Sequence, residues 1–442
     1  MKIFNVFIKN GVLLTIFTIL LRLSTMLFSM FLSNNLPIYI LGGWSIIMSI
    51  YAFFYTLSNS GINLATTRLV SKEYSYGDCH NIPKLLIDCL KYCLFFGVIS
   101  ALLLICFSSY ILNTISISEY LIINLYLMVI SVVLSPILSC ISGYLMAIQK
   151  IKIIILSQII ETAMQILITL ALYKLNQFTS IRKIFINLTI SIVLPDIITF
   201  IFLLTYCIRS CSSFNIQKKS KKSFTPEILR ISLPVAITTY IKSALSTIKV
   251  SIIPQALALY GYTYEEANSY YGLINFTILS LILFPFTLIQ SYSDLLIPKI
   301  SSYNPKKYLN KIISITKTSI FATSIFSIII CIIFILFAKS IDQHLYKTLH
   351  ISYYLKILSP LLIYIYIDNV IDNILKSIDA QLYVVVINVI DLIVTISLIK
   401  TFIPIYGITA YILILYSSEI LNVILSSIVL VKKFKNFSNK SL

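Results

Sequence analysis

The chain has 442 residues, 58% of them apolar and only 11% charged, with a formal net charge of +18. A water-soluble chain of this length carries about a quarter charged residues, so a soluble globular protein is excluded. The positive surplus does not indicate nucleic acid. No basic stretch interleaves with aromatics outside the apolar runs, and lysines and arginines gather in short loops, as on the cytoplasmic face of a membrane protein.

Only helices and closed barrels satisfy their backbone in lipid. The apolar runs are mostly about twenty residues or longer and lack the two-residue alternation of barrel strands, so the spacing predicts transmembrane helices. Twelve spans are expected. The first six are Gly11–Leu32, Ile40–Leu64, Leu85–Leu112, Tyr120–Ile148, Ile153–Leu175 and Ile184–Ile208. The second six are Ile231–Leu259, Tyr270–Tyr292, Ile312–Ala338, Ser352–Leu375, Tyr383–Ile399 and Ile405–Val431. The first follows Lys2 and Lys9, is too long for a signal-peptide core and lacks a small-x-small cleavage site, so it is expected to stay uncleaved. The longest hydrophilic stretch, Arg209–Glu227, carries Lys218, Lys219, Lys221 and Lys222. It divides the chain into a bundle at 1–210, a cytoplasmic basic linker at 211–227 and a bundle at 228–442. With both termini cytoplasmic, most loop lysines and arginines fall inside. One outer loop, Lys174 to Lys183, is more basic than this orientation requires.

The halves resemble one another. Residues 142–166 overlie 372–396 at a constant shift of 230, which matches Gln149 to Asp379, Gln158 to Asn388, Glu161 to Asp391 and Gln165 to Thr395. Thr67-Arg68-Leu69-Val70-Ser71 and Pro298-Lys299-Ile300-Ser301-Ser302 echo each other at nearly the same shift. Six spans per half give parallel repeats about a pseudo-two-fold axis along the membrane normal, an arrangement that puts substrate at the interface of the halves. The expected fold is therefore an all-α polytopic membrane protein of two six-helix bundles.

Ionisable groups within a span cost roughly 2.5–3.5 kcal/mol each, so they point to function. Span 1 carries Thr18, Arg22, Thr25 and Ser29, and span 7 carries Thr239, Lys242, Ser246 and Lys249, each set at steps of three and four and so on one helix face. Two cationic stripes suit an anion such as a phosphate. Their alternative role is snorkelling to an interface, most credible for Lys249. Spans 5 and 11 carry oxygen-rich stripes, Gln158, Glu161, Gln165 and Asn388, Asp391, Thr395, and span 10 adds Asp368, Asn369, Asp372 and Asn373. These suit a Na⁺ or proton site, or else salt bridges to the basic stripes. The eight cysteines show no CxxC, and Cys79-His80 has no further ligand at metal spacing, so neither a metal nor a disulfide framework is expected. No P-loop or GxSxG is present, and no cofactor is expected beyond a coupling ion.

The stretch Ile253-Pro254-Gln255-Ala256-Leu257, with Gly261-Tyr262-Thr263, Glu265-Glu266-Ala267 and Tyr271-Gly272, resembles stage V sporulation protein B. Arg68-Leu69-Val70-Ser71, Gly143-Tyr144 and Gln149 add to the resemblance. That family lies in the multidrug/oligosaccharidyl-lipid/polysaccharide exporter superfamily. The resemblance implies a monomeric flippase in the bacterial cytoplasmic membrane that moves a lipid-pyrophosphate-linked saccharide, such as a peptidoglycan precursor, by alternating access. Membrane lipids and that saccharide are its expected partners. Basic residues line the cavity of the peptidoglycan-precursor flippases, and Arg22 best matches that role. Five residues before Pro254-Gln255 the family pattern has an acidic residue where this chain has Lys249, which makes the cavity more basic. The alternatives are a cation-coupled multidrug exporter of the same superfamily and a polytopic glycosyl- or acyltransferase. The short outer loops, with Glu119, Glu265 and Glu266 as the main acidic candidates, weigh against the enzyme.

Overall fold

A computed structural model describes residues 2–76, 79–114, 122–175, 179–212, 223–303, 305–346 and 351–439. Every regular element among them is helical: α1 (Lys2–Asn35), α2 (Ile38–Asn59), α3 (Ile62–Tyr76), α4 (Ile82–Thr114), α5 (Ile122–Ala147), α6 (Ile151–Lys174), α7 (Ile181–Ser212), α8 (Thr225–Leu259), α9 (Tyr264–Gly272), α10 (Leu279–Ile282), α11 (Phe286–Ser301), α12 (Pro305–Leu345), α13 (Ser352–Leu358), α14 (Leu361–Ser377) and α15 (Gln381–Asn439). The protein is an all-α polytopic membrane protein. Ten helices among the described residues are long and apolar enough to cross a membrane, and a bent pair, Tyr264–Ile282 with Phe286–Ser301, makes an eleventh. A break at Gly407 cuts α15 in two and supplies the twelfth.

The breaks follow from local chemistry. Pro285 has no N–H to donate and disfavours helix at the residue before it, and the chain bends there by 59°. Just upstream, Leu273–Ile278 widens into a π-helix. Gly407 has φ 60° and ψ −135°, a conformation open essentially to glycine alone.

The helices pack into two compact units. The first comprises Met1–Phe17 and Ile47–Thr247, and the second comprises Thr18–Ile46 and Ile248–Leu442. This grouping departs from the boundaries expected at 210 and 228. In the second unit, Ser33 Oγ meets Thr277 Oγ1 at 3.0 Å and Asn34 Nδ2 donates to the Leu345 carbonyl at 2.6 Å, which ties the end of α1 to later helices. In the first, Tyr240 Oη donates to the Leu57 carbonyl at 3.0 Å and Thr247 Oγ1 to the Ser49 carbonyl at 2.9 Å, which holds the first half of α8 to α2. These bonds between long helices accompany the grouping, and a hydropathy boundary does not register them.

The repeat at a shift of 230 has a backbone counterpart inside each unit. Gln149 and Asp379 both have left-handed φ, 59° and 57°. Each ends its helix with the same bond, Lys150 N–H to the Leu145 carbonyl and Ala380 N–H to the Leu375 carbonyl, both 2.9 Å, the six-to-one closure of a Schellman turn. Helix register repeats as well. Asn63 Nδ2 donates to the carbonyl of Ser139 in the first unit, and Ser293 Oγ to Asn369 Oδ1 in the second, each across 76 residues of sequence.

The chain entering α8 is pinned by a buried carboxylate. Asp88, 4% exposed, accepts from Lys84 Nζ at 3.1 Å and from the Phe224 backbone N–H at 3.1 Å. Asp88→Ala leaves that N–H unpaired, which costs about 1–3 kcal/mol. Limited proteolysis is expected to cut near 223–224 faster in the variant than in the wild type.

Candidate functional site

The first unit encloses a cavity of about 500 Å³. One part of its wall is a helix face that the sequence already marks as polar. From α6 come Gln158, Glu161 and Gln165, the predicted stripe at steps of three and four. From α7 come Asp196 and Thr199, and from α2 Tyr51 and Tyr55. Pro195 stands beside Asp196 and has no N–H, so the carbonyl of Ser191, one turn earlier, receives no helical bond. Ser191 and Pro195 both line the cavity.

Glu161 and Asp196 lie within electrostatic range of each other, and neither forms an ion pair among the described residues. Thr199 Oγ1 is buried without a hydrogen-bond partner and lies on the cavity wall. Below them, Ser139 donates to Asn59 Oδ1, and Asn63 Nδ2 donates to the Ser139 carbonyl at 3.1 Å. Two acids without a cationic partner, beside the free Thr199 hydroxyl, are of the donor type that a hard monovalent cation or a shared proton takes. A salt bridge from a basic stripe, the alternative reading of these acids, is not realised at Glu161.

In the second unit the corresponding acids are packed instead of open. Asp391, 6% exposed, accepts from Ser418 Oγ at 2.7 Å and Thr395 Oγ1 at 3.3 Å. Asp372 accepts from Ser426 Oγ at 3.2 Å. Asp368 and Glu419 complete an acidic cluster, and Lys249 is the cation that acts on Glu419. Asp368 Oδ1 is buried without a hydrogen bond. Asn388 Nδ2 donates to the Val384 carbonyl of its own helix at 2.7 Å. Asn373 joins a separate network with Ser293 at 2.8 Å, Asp294 at 2.9 Å and Lys376 at 2.8 Å. Glu161 and Asp391 thus hold equivalent places in the repeat, yet one faces a cavity and the other is closed in by hydroxyls.

The predicted anion-binding residues divide between the units. Thr18, Arg22, Thr25 and Lys249 belong to the second, and Lys242 and Ser246 to the first. Arg22, Lys242 and Ser246 are exposed, and Lys249 is half-buried. Thr25 Oγ1 donates to the Arg22 carbonyl at 3.0 Å, so that hydroxyl is spent on its own helix. Arg22 makes no ion pair among the described residues. The predicted stripes do not include Asp196 or Glu419. A signal is present, since each is an acid in the middle of a span; Glu419 even opens a run at steps of three and four with Asn422 and Ser426, whereas Asp196 has only Thr199 three residues on.

The model of the family described as "Polysaccharide biosynthesis protein" matches residues 7–285, more than half of the chain. The chain belongs to that family. No curated protein matches it in sequence. Its fold is similar to that of an inward-facing multidrug resistance transporter of the MATE family and MOP superfamily, at 9% identity over 96% of each chain and a TM-score of 0.80. It is also similar to the outward-facing conformation of such a transporter, at 11% identity over 96% of this chain and 97% of that one, with a TM-score of 0.59. A eukaryotic MATE transporter matches at 13% identity over 98% and 99%, with a TM-score of 0.61. At such identities the likeness shows the fold alone. Family membership and fold together support a membrane flippase or exporter within this superfamily.

Proposed function

We propose that the protein is a flippase that moves a lipid-pyrophosphate-linked saccharide across the bacterial cytoplasmic membrane by alternating access, coupled to Na⁺ or H⁺. Membership of the polysaccharide biosynthesis family carries the reading, and the resemblance of Ile253–Gly272 to stage V sporulation protein B narrows it toward a peptidoglycan-type precursor. The cation would bind in the first unit's cavity at Glu161 and Asp196. Asp368, Asp372, Asp391 and Asn388 of the second unit are retained as candidate coupling residues. Arg22 and Lys249 in the second unit and Lys242 in the first are each candidate contacts for the pyrophosphate, with Thr18, Thr25 and Ser246 beside them on their helices. A planar guanidinium pairs with phosphate oxygens in bidentate fashion, which favours Arg22 over the lysines.

The test is translocation of a fluorescent undecaprenyl-pyrophosphate saccharide by the full chain in proteoliposomes. Arg22→Ala is expected to slow it about tenfold or more, the scale of one charge-assisted phosphate contact worth about 1.5–3 kcal/mol. Arg22→Lys should restore part of the loss. Wild-type rates in Arg22→Ala would overturn the assignment of Arg22. One observation favours a second reading. The first unit's cavity is acidic and carries Tyr51 and Tyr55, as a site for an organic cation would. Cation-coupled efflux of ethidium by the same proteoliposomes, with no saccharide translocation, would make the protein a multidrug exporter.

A further inference from the structure

The most family-specific segment of the sequence, Ile253–Gly272, is not accounted for by either polar site. Its core, Tyr260-Gly261-Tyr262-Thr263, links α8 to α9 in the second unit. Tyr260 and Tyr262 have ring centroids 5.1 Å apart, and Tyr262 and Tyr270 4.9 Å. From α13, Tyr353 and Tyr354 meet edge to face at 5.2 Å, and Tyr354 lies within electrostatic range of Tyr262 and Tyr270. The three contacting rings at the α8–α9 link and the Tyr353–Tyr354 pair of α13 make one tyrosine-rich patch. It remains open, with Tyr353 66% and Tyr260 44% exposed.

The cluster is held in place. Thr263 caps α9 reciprocally with Glu266, whose backbone N–H donates to Thr263 Oγ1 at 3.3 Å while Glu266 Oε2 accepts from the Thr263 N–H at 2.8 Å. Such a capping box satisfies two backbone donors at the helix start reciprocally. On the other side, Tyr260 packs on the break in α15. A Cβ at Gly407 would lie 2.8 Å from two ring carbons of Tyr260. Glu265 and Glu266 stand exposed in the first turn of α9, and Glu266 lies within electrostatic range of Tyr262.

Tyrosines at a membrane interface often anchor single rings in the headgroup layer. This cluster differs in two respects. Its rings contact one another in a trio and a pair instead of spacing out around the perimeter, and Glu266 lies within electrostatic range of Tyr262, a carboxylate that an anionic lipid surface would repel. Tyrosine offers a broad apolar face at low cost in side-chain entropy together with a hydroxyl. A carboxylate accepts several hydrogen bonds from hydroxyls. Rings beside a carboxylate match a sugar, whose C–H faces are apolar and whose rim is all hydroxyl.

We propose that Tyr260, Tyr262, Tyr270, Tyr353 and Tyr354, with Glu265, form a docking platform for the saccharide moiety of the cargo. The assignment rests on the flippase reading above. In the orientation expected from the loop charges this end of the second unit faces outward, so the platform would receive the sugar on the release side.

The test is saturation-transfer difference NMR on the purified full chain in detergent, with chitotetraose and maltotetraose as probes. Transfer to sugar ring protons in the wild type, at least fivefold weaker in Tyr260→Ser/Tyr353→Ser and weakened in Glu265→Gln, is the expected result. No transfer to either probe, or undiminished transfer in the tyrosine variants, overturns the platform. Should the double variant fail to fold, Tyr353→Ser gives the same reading, because that side chain is largely exposed. Proteoliposome translocation separates the two proposals. Tyrosine-dependent sugar binding without translocation would sink the flippase and keep a saccharide site. Translocation unaffected by the tyrosine variants, with no sugar binding, would do the reverse.

Discussion

Glu161→Gln is expected to slow ion-coupled translocation about a hundredfold or more, and Asp196→Asn to do the same, while each variant folds as well as the wild type. Both side chains line one cavity in the first unit, and neither has a cationic partner among the described residues. A cation held near 4 Å from a carboxylate gains of order 4 kcal/mol at an effective dielectric constant of about 20. Losing one of two such contacts weakens the cation by about a thousandfold. The same substitution relieves repulsion between like charges, so the melting temperature should hold or rise, which separates lost coupling from lost folding. Translocation driven by an imposed Na⁺ or pH gradient, with thermal shift by Na⁺ on the purified protein, reads both quantities. Retention of the wild-type rate and ion dependence in both variants would remove the cavity from coupling. Asp391→Asn applies the parallel test to the second unit. Because Ser418 and Thr395 already bond that carboxylate, unchanged ion dependence there would assign Asp391 to packing and confine the ion to the first unit.

Much of this is legible in the sequence because lipid makes simple demands. An apolar run about twenty residues long reads as a span, and the helical phase of Gln158, Glu161 and Gln165 is enough to put all three on one wall of a cavity. The repeat at a shift of 230 is legible too, down to the left-handed residues Gln149 and Asp379. What the repeat does not convey is that equivalent acids meet different neighbours. The fate of Asp391 depends on Ser418, 27 residues further on, and no periodicity links the two. Asp196 is hidden for a related reason, since its partner in the repeat is Ser426, which itself bonds Asp372. The grouping of Thr18–Ile46 with the second unit is equally hidden. It is accompanied by hydroxyl and amide bonds across more than 240 residues, invisible to a scale that counts only hydrophobicity.

A close helix approach in the second unit supplies the largest expected effect on folding. Gly42 of α2 lies against α9, where a Cβ would fall 2.0 Å from the Asn268 carbonyl oxygen. Gly272 faces back, with a Cβ position 2.6 Å from the Ile38 carbonyl oxygen and 2.7 Å from the Gly42 nitrogen. The obstacles are backbone atoms, so no side chain can swing aside, and small residues are what allow helices to meet this closely in a membrane. Gly42→Ala must push α9 away from α2 and open the packing around it, at a cost of about 2–4 kcal/mol. The melting temperature of the full chain in detergent is expected to fall by about 5–10 °C. Gly97→Ala is the matched control, since its Cβ would approach the Pro136 ring no closer than 3.3 Å, and it should cost less than about 1 kcal/mol. Equal losses in the two variants would mean that the Gly42 contact is not what holds the helices together. Tyr270 rides on α9, so a displaced α9 also separates it from Tyr262. Weakened sugar binding in Gly42→Ala, in proportion to its loss of stability, would tie the tyrosine cluster to the packing of two glycines.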